Sequence, residues 1–286
     1  MVGFVKYTSR LFWYAWDIEV AIRMNLIVVA SLVFALAVLM TMTGRGGGNF
    51  YVLVLVLAGQ AIHQAATTGQ LILMLSALTG MIIFHRHKMI DWKLALVIDP
   101  PTDVMAFVGG YFSDYVSGIT LKFLLAGLLV LAGFLMLLKV NNRPITAGRR
   151  FGYWHRRFGN EEYVVNLWIA IPITAAVGLA AGAVGISGGS FKVPLMVLLC
   201  GVPMRIAVGT ASAMVAVTAL MGFTGHAISG HFDPSWAIPV ACAAVVGGVI
   251  GGKIAIRINP KRLKVIFAFT TLAAAIVMAV NALLSR

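Results

Sequence analysis

The stretch Gly44-Arg45-Gly46-Gly47-Gly48-Asn49-Phe50-Tyr51-Val52 decides how this chain is read, because a version of it occurs twice. Sliding the chain by 141 positions lays Gly185-Ile186-Ser187-Gly188-Gly189-Ser190-Phe191-Lys192-Val193 beneath it. The same offset pairs Val56 with Val197, Leu57 with Leu198, Ala66 with Ala207 and His85 with His226. After one inserted residue, Asp91 meets Asp233 and Gly109-Gly110 meets Gly251-Gly252. Apolar segments resemble one another by chance. A glycine cluster in matching places does not follow from apolarity.

Around each cluster the chain is strongly hydrophobic. Of 286 residues, 60% are hydrophobic and 11% charged, and the mean hydropathy is +0.96. A water-soluble domain needs a polar outside that this composition cannot supply, so the outer solvent is lipid. Long Leu/Val/Ala runs, without ten-residue alternation, satisfy their backbone groups as helices and not as a barrel. Apolar segments fall near 24–43, 49–59, 61–84, 93–113 and 118–139, then near 165–184, 190–200, 204–228, 235–257 and 264–284. The second of each set is short, and eleven residues of helix rise only about 16 Å, roughly half a bilayer core.

A glycine-rich break before a half-length helix, in both halves, is the signature of paired discontinuous helices in secondary transporters. Close helix packing through small residues is the plainer reading of the same glycines. The expected fold is an all-α polytopic membrane protein of two pseudo-symmetric repeats, inverted with five segments each, every repeat holding a Gly-broken half-helix. Its parts are an interfacial amphipathic helix over 1–23, a first repeat over 24–139, a basic cytoplasmic linker over 140–164 and a second repeat over 165–286. Residues 1–23 carry Lys6, Arg10 and Arg23 beside Phe12, Trp13, Tyr14 and Trp16, which suits the headgroup region and not a cleavable signal peptide.

The formal charge of +13 sits mostly between apolar segments, as the positive-inside rule requires, with no basic face interleaved with stacking aromatics. Nucleic acid is therefore excluded as a partner, and a multi-pass protein of the cell inner membrane is expected, in contact with lipid. If every segment crosses, more of the 22 Lys and Arg gather on the cytoplasmic side than if the short segments re-enter. That arrangement also puts Lys6, Arg10 and Arg23 outside, so the orientation of the termini stays open. Cys200 and Cys242 lie in apolar segments and report neither disulfide nor metal site. No cofactor or metal is expected, and a homo-oligomer is compatible with the chain.

Gly-Ala-Val-Gly-Ile-Ser-Gly-Gly-Ser-Phe-Lys-Val-Pro at 182–194, Ala-Val-Gly-Thr-Ala-Ser at 207–212 and His-Phe-Asp at 231–233 resemble the TauE/SafE sulfite-exporter family, also called the toluene-sulfonate uptake permease family. The resemblance spans roughly residues 25–284 and is specific in the second half. In the first half, Gly-Arg-Gly-Gly-Gly at 44–48 and Ala66-Thr67-Thr68 echo it. It implies transport of sulfite, sulfonates or related sulfur-containing organic anions, with proton coupling. It carries over to Gly185, Gly188, Gly189, Ser190, Pro194, Gly209, Thr210 and Ser212, and to Gly44, Gly46, Gly47, Gly48, Asn49, Thr67 and Thr68. Three features depart from the pattern: Arg45 where an apolar residue is usual, Ser187 in place of glycine, and Asp99-Pro-Pro-Thr-Asp103 interrupting a normally plain segment.

The chemistry of an anion site follows from the residues themselves. The first turn of a helix offers unpaired N–H groups and partial positive charge, and glycines before it let an anion approach the backbone. Gly46, Gly47, Gly48 and Asn49 in one half, with Gly188, Gly189 and Ser190 in the other, are expected to cradle an oxyanion from two sides. Arg45 near the bilayer interior costs roughly 2.5–3.5 kcal/mol, so it needs a partner or a wet cavity, and its fork grips a sulfonate at two points. Snorkelling to the interface is the alternative for Arg45, and more so for Lys192. Thr67, Thr68, Gln70, Thr210 and Ser212 add neutral donors to the substrate site, or serve as packing hydroxyls.

Asp99 and Asp103 lie one helical turn apart, and Pro100 and Pro101 are expected to break the helix between them. Three roles fit these acids: partner to Arg45, proton carrier, or interfacial turn. Proton coupling is assigned to Asp99, Asp103, His85 and His226. The chain lacks the His-x-x-Glu-His, Cys-x-x-Cys and phosphate-loop patterns, so an intramembrane enzyme or an ATP-driven pump fits poorly. The reading is a secondary anion transporter, with a passive anion channel as its rival.

Overall fold

In the computed structural model, the residues described are 26–60, 62–111, 118–137, 151–183, 189–228 and 232–284. The interfacial helix expected over 1–23, linker residues 140–150, Gly185, Ser187 and Gly188 lie outside them, as do the side chains of Asn49, Ser190 and His226. Ten helices follow the ten apolar segments. They are α1 (Leu26–Thr43), α2 (Gly48–Leu57), α3 (Ile62–Arg86), α4 (Trp92–Tyr111), α5 (Gly118–Leu137), α6 (Leu167–Ala183), α7 (Gly189–Leu198), α8 (Met204–Ile228), α9 (Pro234–Arg257) and α10 (Pro260–Leu284).

The protein is a mostly helical membrane protein. Among the described residues, α1, α3, α8 and α9 each contain a stretch long and apolar enough to cross a bilayer. Large apolar side chains cover the outside, among them Ile27, Leu96, Phe134, Met221, Phe269 and Ile276. In water that surface would be unstable, whereas lipid is its natural solvent. The inside is different in kind. Helices α3 and α8 pack against each other at the centre, α4 lies on α6, α5 on α10, and α9 on α3. Glycines let backbones come close at these crossings: a Cβ on Gly178 of α6 would stand 2.3 Å from the Thr102 carbonyl oxygen of α4, and one on Gly80 of α3 2.9 Å from Ser212 Oγ of α8.

Asp91 and Asp233, matched in the sequence, do the same job. Asp91 Oδ1 accepts from the N–H groups of Lys93 and Leu94 at 3.1 and 3.2 Å and starts α4. Asp233 Oδ1 accepts from Ser235 N at 3.0 Å and starts α9. Each satisfies helix N–H groups that have no partner within the helix.

One expectation is corrected. Pro100 and Pro101 do not break the helix: α4 runs unbroken from Trp92 to Tyr111, with both prolines inside it. Packing against α6 holds the helix together, although the carbonyls one turn earlier lose their donors. The described part of the linker contains a hairpin. Strands β1 (Tyr153–Phe158) and β2 (Glu161–Asn166) pair antiparallel, with Arg156 opposite Tyr163 and Trp154 opposite Val165. They are joined by Gly159 and Asn160, Gly159 with φ 60°, as a two-residue hairpin turn demands.

Candidate functional site

Helix α1 ends where Gly44 turns left-handed (φ 69°), with Gly44 N–H donating to Thr41 O at 3.1 Å and Arg45 N–H to Met40 O at 3.2 Å. This paired closure satisfies the last carbonyls of α1 and needs a residue free of Cβ strain at its pivot. Gly46 and Gly47 are also left-handed, and α2 begins with Gly47 as its N-cap and no side chain capping it. The first N–H groups of α2 are thus left to a ligand or to water.

This loop lies at the centre of the molecule. A Cβ on Gly46 would stand 2.4 Å from both Leu73 of α3 and Val215 of α8, so the loop is wedged into the α3–α8 crossing. At the start of α7, a Cβ on Gly189 would meet the Arg45 carbonyl oxygen at 2.5 Å and Val215 at 2.7 Å. The starts of α2 and α7, matched in the sequence, therefore meet in space at one crossing.

Arg45 is 1% exposed. Its Nη1 donates to Thr270 Oγ1 of α10 at 3.2 Å, and its guanidinium lies 5.1 Å from the centre of the Phe267 ring. Among the described residues, Nε and Nη2 have no hydrogen-bond partner. A buried N–H left unpaired costs about 1–3 kcal/mol, and more on a charged group. The sequence reading offered Asp99 and Asp103 as partners for Arg45, and the structure corrects that: no carboxylate among the described residues pairs with it. The acids belong to Lys192.

Lys192, in the first turn of α7, is 4% exposed. Its Nζ forms an ion pair with Asp99, stands 4.0 Å from Asp103 Oδ1, and donates to Thr218 Oγ1 of α8 at 3.3 Å. A small cavity of about 10 Å³ opens beside it, lined by Ile98, Thr102, Thr174, Val177, Phe191 and Leu195. That is room for about one water molecule.

The remaining candidates are spread along the central pair. Thr67, Thr68, Thr210 and Ser212 are all buried, and Gln70 is half-buried. Thr68 Oγ1 has no partner. Thr210 Oγ1 accepts the Asp91 N–H at 3.0 Å, so one of its roles is structural. Ser212 faces Gly80 on α3. His85 is exposed at the end of α3, where its Nδ1 accepts from Trp92 Nε1 at 3.3 Å, and no contact joins it to Asp99 or Asp103.

A second buried ion pair was not foreseen. Asp91, 0% exposed, accepts from Arg156 Nε and Nη2, both at 2.7 Å, and from the Tyr163 hydroxyl at 2.5 Å. The hairpin thereby grips the α3–α4 turn. Burial alone would raise the Asp91 pKa, but the hydrogen bonds from Arg156, Tyr163 and Leu94 hold it below the usual carboxylate value of 3.8. The same bond to Asp91 raises the Arg156 pKa, while burial and the neighbouring carboxylate raise that of Tyr163.

Thr270, Phe267 and Thr218 were also missed, because they meet their partners across long sequence separations and carry no local signal. The hairpin did leave one: Gly159-Asn160 sits between two six-residue stretches rich in Tyr, Trp, Phe and Val.

Membrane-crossing helices that enclose buried cations at two helix starts fit a membrane transporter. The chain belongs to the sulfite exporter TauE/SafE family, whose model matches residues 29–278. It is 27% identical over 202 residues to the "Probable membrane transporter protein YunE" of Bacillus subtilis (strain 168), covering 69% of this chain and 72% of that one. To the "Probable membrane transporter protein YdhB" of the same organism it is 24% identical over 227 residues, 79% of this chain and 88% of that one. A "Probable membrane transporter protein" of Xylella fastidiosa (strain Temecula1 / ATCC 700964) is 30% identical over 105 residues, 36% of this chain and 40% of that one. No solved structure matches the chain.

Proposed function

We propose that this chain is a secondary transporter that moves a small sulfur-containing anion, a sulfite, sulfonate or sulfo-organic acid, across the cell inner membrane with protons as the coupling ion. The anion is held by Arg45 and by the first N–H groups of α2 and α7. The observation that carries this reading is the buried Arg45 guanidinium, with Nε and Nη2 unpartnered at the meeting point of those two helix starts. A tetrahedral oxyanion accepts several donors at once, and a guanidinium presents two in one plane.

Two inverted repeats, each with a Gly-broken half-helix, complete the proposal. Three features support it. Helices α2 and α7 are both ten residues long, about 15 Å, roughly half a bilayer core. Gly46 touches Leu73 and Val215, which lie one position from exact equivalence under the internal offset. Helix α4 lies on α6, as Gly251 of α9 lies on Val38 of α1. Such a fold rocks one repeat against the other around a fixed midplane site.

Reconstitution in liposomes tests the function. Saturable counterflow of radiolabelled sulfite or an alkylsulfonate is expected, with no such exchange by Arg45→Gln. Flux that neither saturates nor exchanges identifies a passive channel instead.

A further inference from the structure

We propose that Lys192, Asp99 and Asp103 form a separate proton site, in which one proton binds Asp103 and Lys192 serves as a fixed counter-charge without contacting the anion. This rests on the transport reading above and gives Lys192 a different role from the substrate contact expected of it.

The charges leave room for one proton. One ammonium faces two carboxylates, so the group carries a net negative charge when all three are ionised. Inside a membrane an uncompensated charge is costly, and a single proton brings the sum to zero. The geometry says which oxygen takes it. Asp99 is paired directly with Nζ, whereas Asp103 stands 4.0 Å from Nζ. The Thr218 hydroxyl is its other neighbour, 3.5 Å away, and that hydroxyl has a nearer acceptor in the Met214 carbonyl at 2.9 Å. Ionised Asp103 therefore lacks a good donor. Protonated Asp103 becomes a donor itself, and Thr218 Oγ1 is the acceptor within reach. Asp103 is also 42% exposed against 13% for Asp99, so it is the less enclosed of the two acids.

The surroundings add no other described titratable group. Helix α6, packed along α4, has none between Leu167 and Ala183. On α8, Arg205 is engaged elsewhere, donating from Nη2 to the Ile258 carbonyl at 3.1 Å. A metal cation would meet a like charge here, because Lys192 Nζ already pairs with Asp99 and stands 4.0 Å from Asp103 Oδ1.

The full-length protein purified in detergent provides the test, by infrared titration of the protonated-carboxyl C=O band and, separately, by binding of sulfite. Among the bands that titrate in the wild type, one is expected to belong to Asp103. Asp103→Asn should remove it and keep sulfite affinity, whereas Arg45→Gln should keep it and lose affinity. In liposomes Asp103→Asn should retain counterflow, and its uptake should fall to the rate seen without a pH gradient. Should Lys192→Met fail to fold, the charge-balanced Lys192→Met/Asp99→Asn variant replaces it, and either is expected to bind sulfite as the wild type does. A set of titrating bands unchanged by Asp103→Asn, uptake driven by a sodium gradient instead of protons, or loss of sulfite affinity on replacing Lys192 would each overturn the proposal. Sulfite affinity unchanged in Arg45→Gln would instead sink the anion site and leave the proton site standing.

Discussion

Arg45 and Lys192 are both nearly inaccessible cations, and each sits beside the start of a ten-residue helix. Their surroundings are opposite. Lys192 has two carboxylates and a hydroxyl around it, while Arg45 has one hydroxyl, one aromatic face and two unpartnered nitrogens. A cation already paired gains little from an incoming anion, and a carboxylate beside it repels that anion. A cation buried without a pair is a cost to the empty protein that a bound anion relieves. The difference teaches that burial of a basic residue in a membrane protein does not mark a substrate site. Its missing partner does.

The sharpest way to break the comparison is to give Arg45 an acid of its own. Thr270→Asp places a carboxylate where Arg45 Nη1 now donates, making the first site resemble the second. Sulfite binding, followed by calorimetry, is expected to disappear. Persistent binding would separate Arg45 from the anion.

Stability should diverge next. Lys192→Gln strands two acids, so a loss of about 3–5 kcal/mol is expected, read from thermal unfolding in detergent without anion. Arg45→Gln removes an unpaired charge and should melt at or above the wild type. Equal losses in both would mean that Arg45 has a structural partner after all.

The Asp91–Arg156–Tyr163 cluster supplies a third case, a buried pair at the start of α4, away from the starts of α2 and α7. Arg156→Met leaves Asp91 buried and unpaired, with a similar expected loss of about 3–5 kcal/mol. Because the folded pKa of Asp91 lies below 3.8, its contribution is complete above that pH and fades as the pH falls through the folded value. Melting temperature should therefore decline in acid more steeply in the wild type than in Asp91→Asn. Parallel acid curves would show that Asp91 is not the group concerned.

The smallest effect should come from Thr270→Val, which deletes one neutral acceptor beside Arg45. A change in sulfite affinity of about five-fold, equivalent to about 1 kcal/mol, is expected from its loss. A change as large as that of Arg45→Gln would make the hydroxyl itself an anion contact.

Much of this was legible in the sequence, and for a physical reason. Hydrophobic runs of fixed length report the lipid directly, so every helix fell on an expected segment. The match of Asp91 with Asp233 was legible as register, and its meaning as two helix caps emerged only in three dimensions. What stayed hidden depends on long-range geometry. Nothing in Asp99-Pro-Pro-Thr-Asp103 says that its acids meet Lys192, 93 and 89 residues onward, instead of Arg45. Nor does Thr270, 225 residues from Arg45, carry any sign of that contact. The prolines misled because tertiary packing carries a helix through a pair that would end it in isolation. The hairpin was overlooked because its basic residues were taken only as a topology signal.

Calorimetric titration of sulfite, and of an alkylsulfonate, into purified wild-type and Arg45→Gln protein tests the central claim most directly. Saturable binding to the wild type, weakened at least about 30-fold (about 2 kcal/mol) in a folded Arg45→Gln variant, is the predicted result. Equal affinity in the two proteins would contradict it.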